Sequence, residues 1–118
     1  MDGFRFLKWS VYGDAKKIVK DVFAVTAKFP KEFRYNLGDQ SNRAVISIVL
    51  NIAEGAGKDS DPDLNRFFNI AIGSANETYA ALELAFENGL IDKETLDSFE
   101  NRLLSIGKQL GGFKKSLK

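Results

Sequence analysis

The hydrophobic and polar positions divide the chain into four stretches in which apolar residues return every three or four places. That is the repeat of an amphipathic α-helix, not the alternation of a strand. The stretches cover about residues 9–28, 37–57, 62–88 and 92–117. Local chemistry agrees with these limits. In "FPKEF", Phe29 to Phe33, Pro30 keeps the residue before it out of helical conformation and ends the first stretch. "KDSDPDL" opens the third: Ser60 or Asp61 can cap it, Pro62 suits a first turn, and the acidic residues favour the positive end of the helix dipole. Asn88 and Gly89 close that helix, and Asp92 starts the next. Short connections favour antiparallel neighbours. The pattern therefore predicts one all-α domain, an antiparallel up-down-up-down four-helix bundle.

The second stretch carries more grease than one bundle needs. In "AVISIVLNIAEGAGK", Ala44 to Lys58, residues placed 100° apart put Gln40, Arg43, Ser47, Asn51, Glu54 and Lys58 within an arc of about 80°. Apolar side chains cover about 240° of the remainder. A helix serving a single core needs a narrower apolar face, and the economical cover for the excess is another copy of the chain. Val45, Ile46, Val49, Leu50 and Ala53 are the candidate oligomer surface.

The polar arc predicts a seam. If the second and third helices form a hairpin about Asp59, positions whose numbers add to about 120 lie side by side. That register sets Arg43 beside Glu77, Glu54 beside Arg66, Ser47 near Gly73 and Asn51 near Asn69, with Ser74 counted in the same seam. The expectation is a polar seam with an ion pair at each end, serving packing specificity. A catalytic pair made of Glu54 and Glu77 is the rival, but many residues separate them along the hairpin and no proton shuttle accompanies them.

Composition narrows the chemistry. The 118 residues, 44% apolar, suffice for one core, and the formal charge is only +1. With neither cysteine nor histidine, disulfides, thiolate catalysis, ordinary Cys/His zinc sites and imidazole acid–base chemistry are excluded. "MDGFRFLKWS" lacks the basic and apolar regions of a signal peptide, and no run approaches the roughly 18 apolar residues of a membrane span. The expected location is the cytoplasm.

Charge is nevertheless uneven. Residues 1–34 hold eight Lys/Arg against four Asp/Glu, residues 35–107 five against twelve, and residues 108–118 four against none. In the expected bundle the first and last helices bring their basic ends together. Arg5, Lys8, Lys16, Lys17, Lys108, Lys114, Lys115 and Lys118 then form a candidate nucleic-acid patch, multiplied by oligomer symmetry. Solvation and compensation of the last helix dipole explain the same lysines more simply, since no stacking aromatics interleave them. "GAGKDS" lacks the first glycine and the final hydroxyl of a phosphate loop, and "DSDPD" lacks the glycine and glutamate of a calcium loop. Aromatics on the third and fourth helices, Phe67, Phe68, Tyr79, Phe86, Phe99 and Phe113, fall at core spacings rather than around a cofactor. Gly107 and Gly111 share a face on the last helix and suggest close approach of a neighbouring helix.

"SNRAVISIVLNIAEGAGK" followed by "FFNIAIGSANETYAALELA" resembles the small bacterial four-helix-bundle proteins named after the intervening sequences of 23S ribosomal RNA, which also carry a ribosomal-protein-like label. "FLKWSVYGDA", "KFPKEFRYNLGDQ" and "IGKQLGGFKKSLK" extend the resemblance over nearly the whole chain. It implies a homopentamer, and it carries over Arg43, Ser47, Asn51, Glu54, Gly55, Gly73, Ser74 and Glu77. Trp9, Tyr12, Val49 and Tyr79 depart from the family's usual residues. Related pentameric bundles are basic accessory proteins of diversity-generating retroelements, a charge this chain does not match. The resulting expectation is a non-enzymatic, self-assembling bundle without a cofactor, associated with RNA or DNA. The alternative is a symmetric scaffold for a protein partner.

Overall fold

The computed structural model describes residues 3–116, with side chains through Phe113. All its regular elements are helical, and no strand occurs among the described residues. After a 3-10 turn at Arg5–Lys8 come α1 (Ser10–Thr26), the short α2 (Lys31–Phe33), a π-helical turn at Arg34–Gly38, α3 (Asp39–Ala56), α4 (Asp61–Glu87) and α5 (Lys93–Ser116). At about 1.5 Å per residue the 27 residues of α4 extend roughly 40 Å, which accounts for most of the molecule's 45 Å length.

The helix ends follow from their sequences. Ser60 Oγ accepts the Asp63 amide at 3.4 Å, with proline in the first turn of α4. At the other end Gly89 takes a φ of +74°, so that the Leu90 amide reaches Ala85 O and the Gly89 amide reaches Phe86 O. This pair of bonds satisfies two carbonyls that the helix leaves open, and only glycine adopts that φ freely. Asp92 Oδ1 then accepts the Thr95 amide at 2.8 Å and starts α5. Around Pro30 the chain does more than stop. α1 ends at Thr26, Pro30 precedes α2, and the π-helical turn feeds directly into α3.

α3 packs on α1 and α4, and α5 packs on the same two helices, so the four long helices surround one core. Ile18, Val22, Val45, Ile48, Ile52, Phe68, Leu82, Ile106 and Leu110 are fully buried in it. Phe99 is buried there too, while Tyr79, Phe86 and Phe113 pack against its edge. Trp9 closes one end, its ring 4.6 Å from that of Phe113 and 6.0 Å from that of Phe68.

One position of the expected oligomer surface is corrected here. Val45 has no exposed area and belongs to the chain's own core, because 100° per residue turns it inward with Ile48 and Ile52. Ile46, Val49 and Ala53 are half-buried, and Leu50 remains 61% exposed. Close approach at Gly107 and Gly111 is also not an intrachain matter: a Cβ at either would meet nothing within 4 Å. No helix of the described residues is long and apolar enough to cross a membrane.

Candidate functional site

The polar arc of α3 meets α4 through hydroxyls, not through charge. Ser74 Oγ donates to Ser47 Oγ at 2.8 Å, and Asn51 Nδ2 donates to the same oxygen at 3.0 Å and to Ser47 O at 2.8 Å. Thr78 Oγ1 caps the row from below by donating to Ser74 O. Small side chains at these places let the two backbones come close. Gly55 shows how close: a Cβ there would stand 3.2 Å from Phe67 Cβ and from the Phe68 ring.

The expected ion pairs at the two ends of this seam do not form. Glu77 Oε2 accepts from Gln40 Nε2 at 2.7 Å, while Arg43 is exposed. Arg43 lies three positions after Gln40, which turns it about 60° around α3 from the place that reaches Glu77. Glu54 pairs with Lys58 at 3.1 Å, one turn along its own chain, and Arg66 lies over the Phe67 ring at 4.5 Å. Among the described residues no ion pair joins α3 to α4. Ser74, not Gly73, meets Ser47; Gly73 and Asn69 are exposed on α4. Gln40 belongs to the expected polar arc, but its pairing with Glu77 is not legible there, because an amide gives no charge signal.

The described members of the candidate basic patch do not gather on one face. Arg5 Nε donates to Ala56 O at 3.0 Å, placing its charge at the negative end of α3, and the guanidinium lies over Trp9. Lys8 borders a depression beside Trp9 and Phe113. Lys16 faces the groove between α1 and α3, Lys17 the groove between α1 and α5, and Lys108 the groove between α4 and α5. The side chains of Lys114 and Lys115, and Leu117 and Lys118 entirely, lie outside the described residues. Lys16 and Lys17, adjacent in sequence, diverge by 100° on a helix. Lys20, one turn beyond Lys16, shares its groove. Its i+4 spacing was legible in the sequence.

Two grooves expose apolar surface. Between α1 and α3, about 400 Å³ is bordered by Lys16, Lys20, Phe23, Val49 and Leu50. Between α4 and α5, about 470 Å³ is bordered by Ile72, Tyr79, Glu100, Leu104, Gly107 and Lys108. Burial pushes the Tyr79 phenol above its ordinary pKa, and the charges of Glu100 and Glu83 push it the same way. Neither groove holds paired carboxylates with a nucleophile, and no cluster of metal-ligating groups occurs among the described residues.

Comparison with known proteins agrees with this architecture. The family model described as 23S rRNA-intervening sequence protein matches residues 8–112. A crystal structure from Bacteroides thetaiotaomicron, described as a protein with unknown function from the S23 ribosomal protein family, superposes with a TM-score of 0.82 at 26% identity. The superposition covers 89% of this chain and 98% of that one. No curated protein sequence matches.

Proposed function

The chain belongs to the 23S rRNA-intervening sequence protein family, and on that premise we propose that it is a non-enzymatic, homo-oligomeric helical bundle that associates with RNA as an accessory protein. In this reading the helices run up-down-up-down, copies close into a pentamer in the cytoplasm, and no cofactor takes part. The observation that supports the nucleic-acid element is the exposure of Lys8 and Lys17, which enter no ion pair among the described residues and lie outside the groove bordered by Lys16 and Lys20. Self-association rests on Leu50, Phe23 and Leu104, which leave 61%, 40% and 55% of their surface in water.

The test is retention of single- and double-stranded RNA over a salt series. Binding through phosphates gives an affinity that falls steeply with salt, and replacing Lys8 and Lys17 by Gln lowers the slope by roughly 1 to 2. Failure to retain RNA at low salt removes the nucleic-acid role. The same exposed apolar grooves favour a second reading, a symmetric scaffold for a protein partner.

A further inference from the structure

Two apolar grooves lie on opposite sides of the molecule. Because α1 and α4 each pack on both α3 and α5, the groove between α1 and α3 faces away from the groove between α4 and α5. Their charges differ. Lys16 and Lys20 border the first, beside the exposed Leu50 and Phe23. Glu100 borders the second, with Glu83 near enough to act on the same Tyr79 phenol. Asp97 on that side is neutralised by Lys93 at 2.6 Å, and Lys108 stands at the groove's other limit.

The first groove does not suit itself: two copies joined through it would bring lysines against lysines, while joining it to the second groove brings Lys16 and Lys20 toward Glu83 and Glu100 over apolar ground. Gly107 adds a steric reason. A glycine inside a helix costs roughly 1 kcal/mol relative to alanine, yet no atom within 4 Å of its missing Cβ requires it. Gly107 and Leu104 line the same groove, so the space at Gly107 is open to a projecting side chain.

We infer that the α1/α3 groove of one copy seats against the α4/α5 groove of a second copy, Lys16 and Lys20 meeting Glu83 and Glu100 around a contact of Leu50 and Phe23 with Leu104. The inference rests on the self-association proposed above and assigns its faces. A contact between unlike surfaces leaves one of each free on every added copy, so it propagates head to tail until a ring closes.

Charge reversal tests the assignment. Sedimentation of nuclease-treated protein is compared for the natural chain, Lys16→Glu/Lys20→Glu, Glu83→Lys/Glu100→Lys, and the chain bearing all four changes. Each double variant is expected to lose the assembled mass, with dissociation constants raised at least tenfold, while the fourfold variant regains it. That recovery also excludes misfolding as the cause of the losses. Double variants that keep the natural mass overturn the faces and leave self-association standing. So does a fourfold variant that stays dissociated with unchanged helical circular dichroism. A natural chain that sediments as a lone protomer overturns the self-association itself.

Discussion

Ser74 donates its hydroxyl proton to Ser47 across 2.8 Å, joining α4 to α3 near the middle of their shared length. Ser74 is nearly buried, so its hydroxyl has little access to water if Ser47 is removed. Ser47→Ala is expected to destabilise the fold by about 1–2 kcal/mol, because it strands the Ser74 hydroxyl and leaves the Asn51 amide with only its bond to the Ser47 carbonyl. Adding Ser74→Ala should cost less than its separate effect predicts. A double-mutant cycle in urea measures the coupling, expected at about 1 kcal/mol. Strict additivity would remove the seam from any account of packing.

Gly55 and Gly73 provide a paired contrast within the hairpin. Alanine at Gly55 drives a Cβ to 3.2 Å from the fully buried Phe68 ring, which has no room to yield. Overpacking of about 1–3 kcal/mol then exceeds the roughly 1 kcal/mol gained in helix propensity. Alanine at Gly73 meets nothing and should stabilise by about 0.5–1 kcal/mol. Thermal melts of the two variants should therefore shift in opposite directions, and equal shifts would refute the close approach.

Asp92 links the start of α5 to pH. Hydrogen bonds from Thr95, first from its side chain and then from its amide, hold the Asp92 carboxyl below the usual carboxylate range. A folded-state pKa below the unfolded one adds stability above the unfolded value, and that stability is lost as pH falls through the folded one. Asp92→Asn can still cap the helix but cannot titrate. Its stability is expected to fall less steeply below about pH 4 than that of the natural chain, as followed by urea midpoints at successive pH values.

Trp9 reports on the closed end of the bundle because it is the only tryptophan and contacts both Phe68 and Phe113. Phe113→Ala should shift its fluorescence to longer wavelength and cost about 2 kcal/mol, less than a fully buried phenylalanine because Phe113 is half-buried. An unshifted spectrum would mean that the last turns of α5 do not cover Trp9 in solution.

Helix identity was legible from local order alone. Pro62, Ser60, Gly89 and Asp92 act on the backbone within a few residues of themselves, and a 3.6-residue repeat of apolar positions survives in any helical packing. The hairpin register was legible too, because equal rise in both helices leaves little choice. The partners of the polar groups were not. Arg43 and Gln40 share one arc in the sequence, and a 60° rotation set by the core determines which of them reaches Glu77. Lys16 and Lys17 read as one basic cluster along the chain, yet the bundle sends them to different grooves. Val45 and Leu50 look equally apolar as letters. Which one is buried depends on where α1, α4 and α5 stand around α3, a matter of packing that no window of neighbouring residues contains.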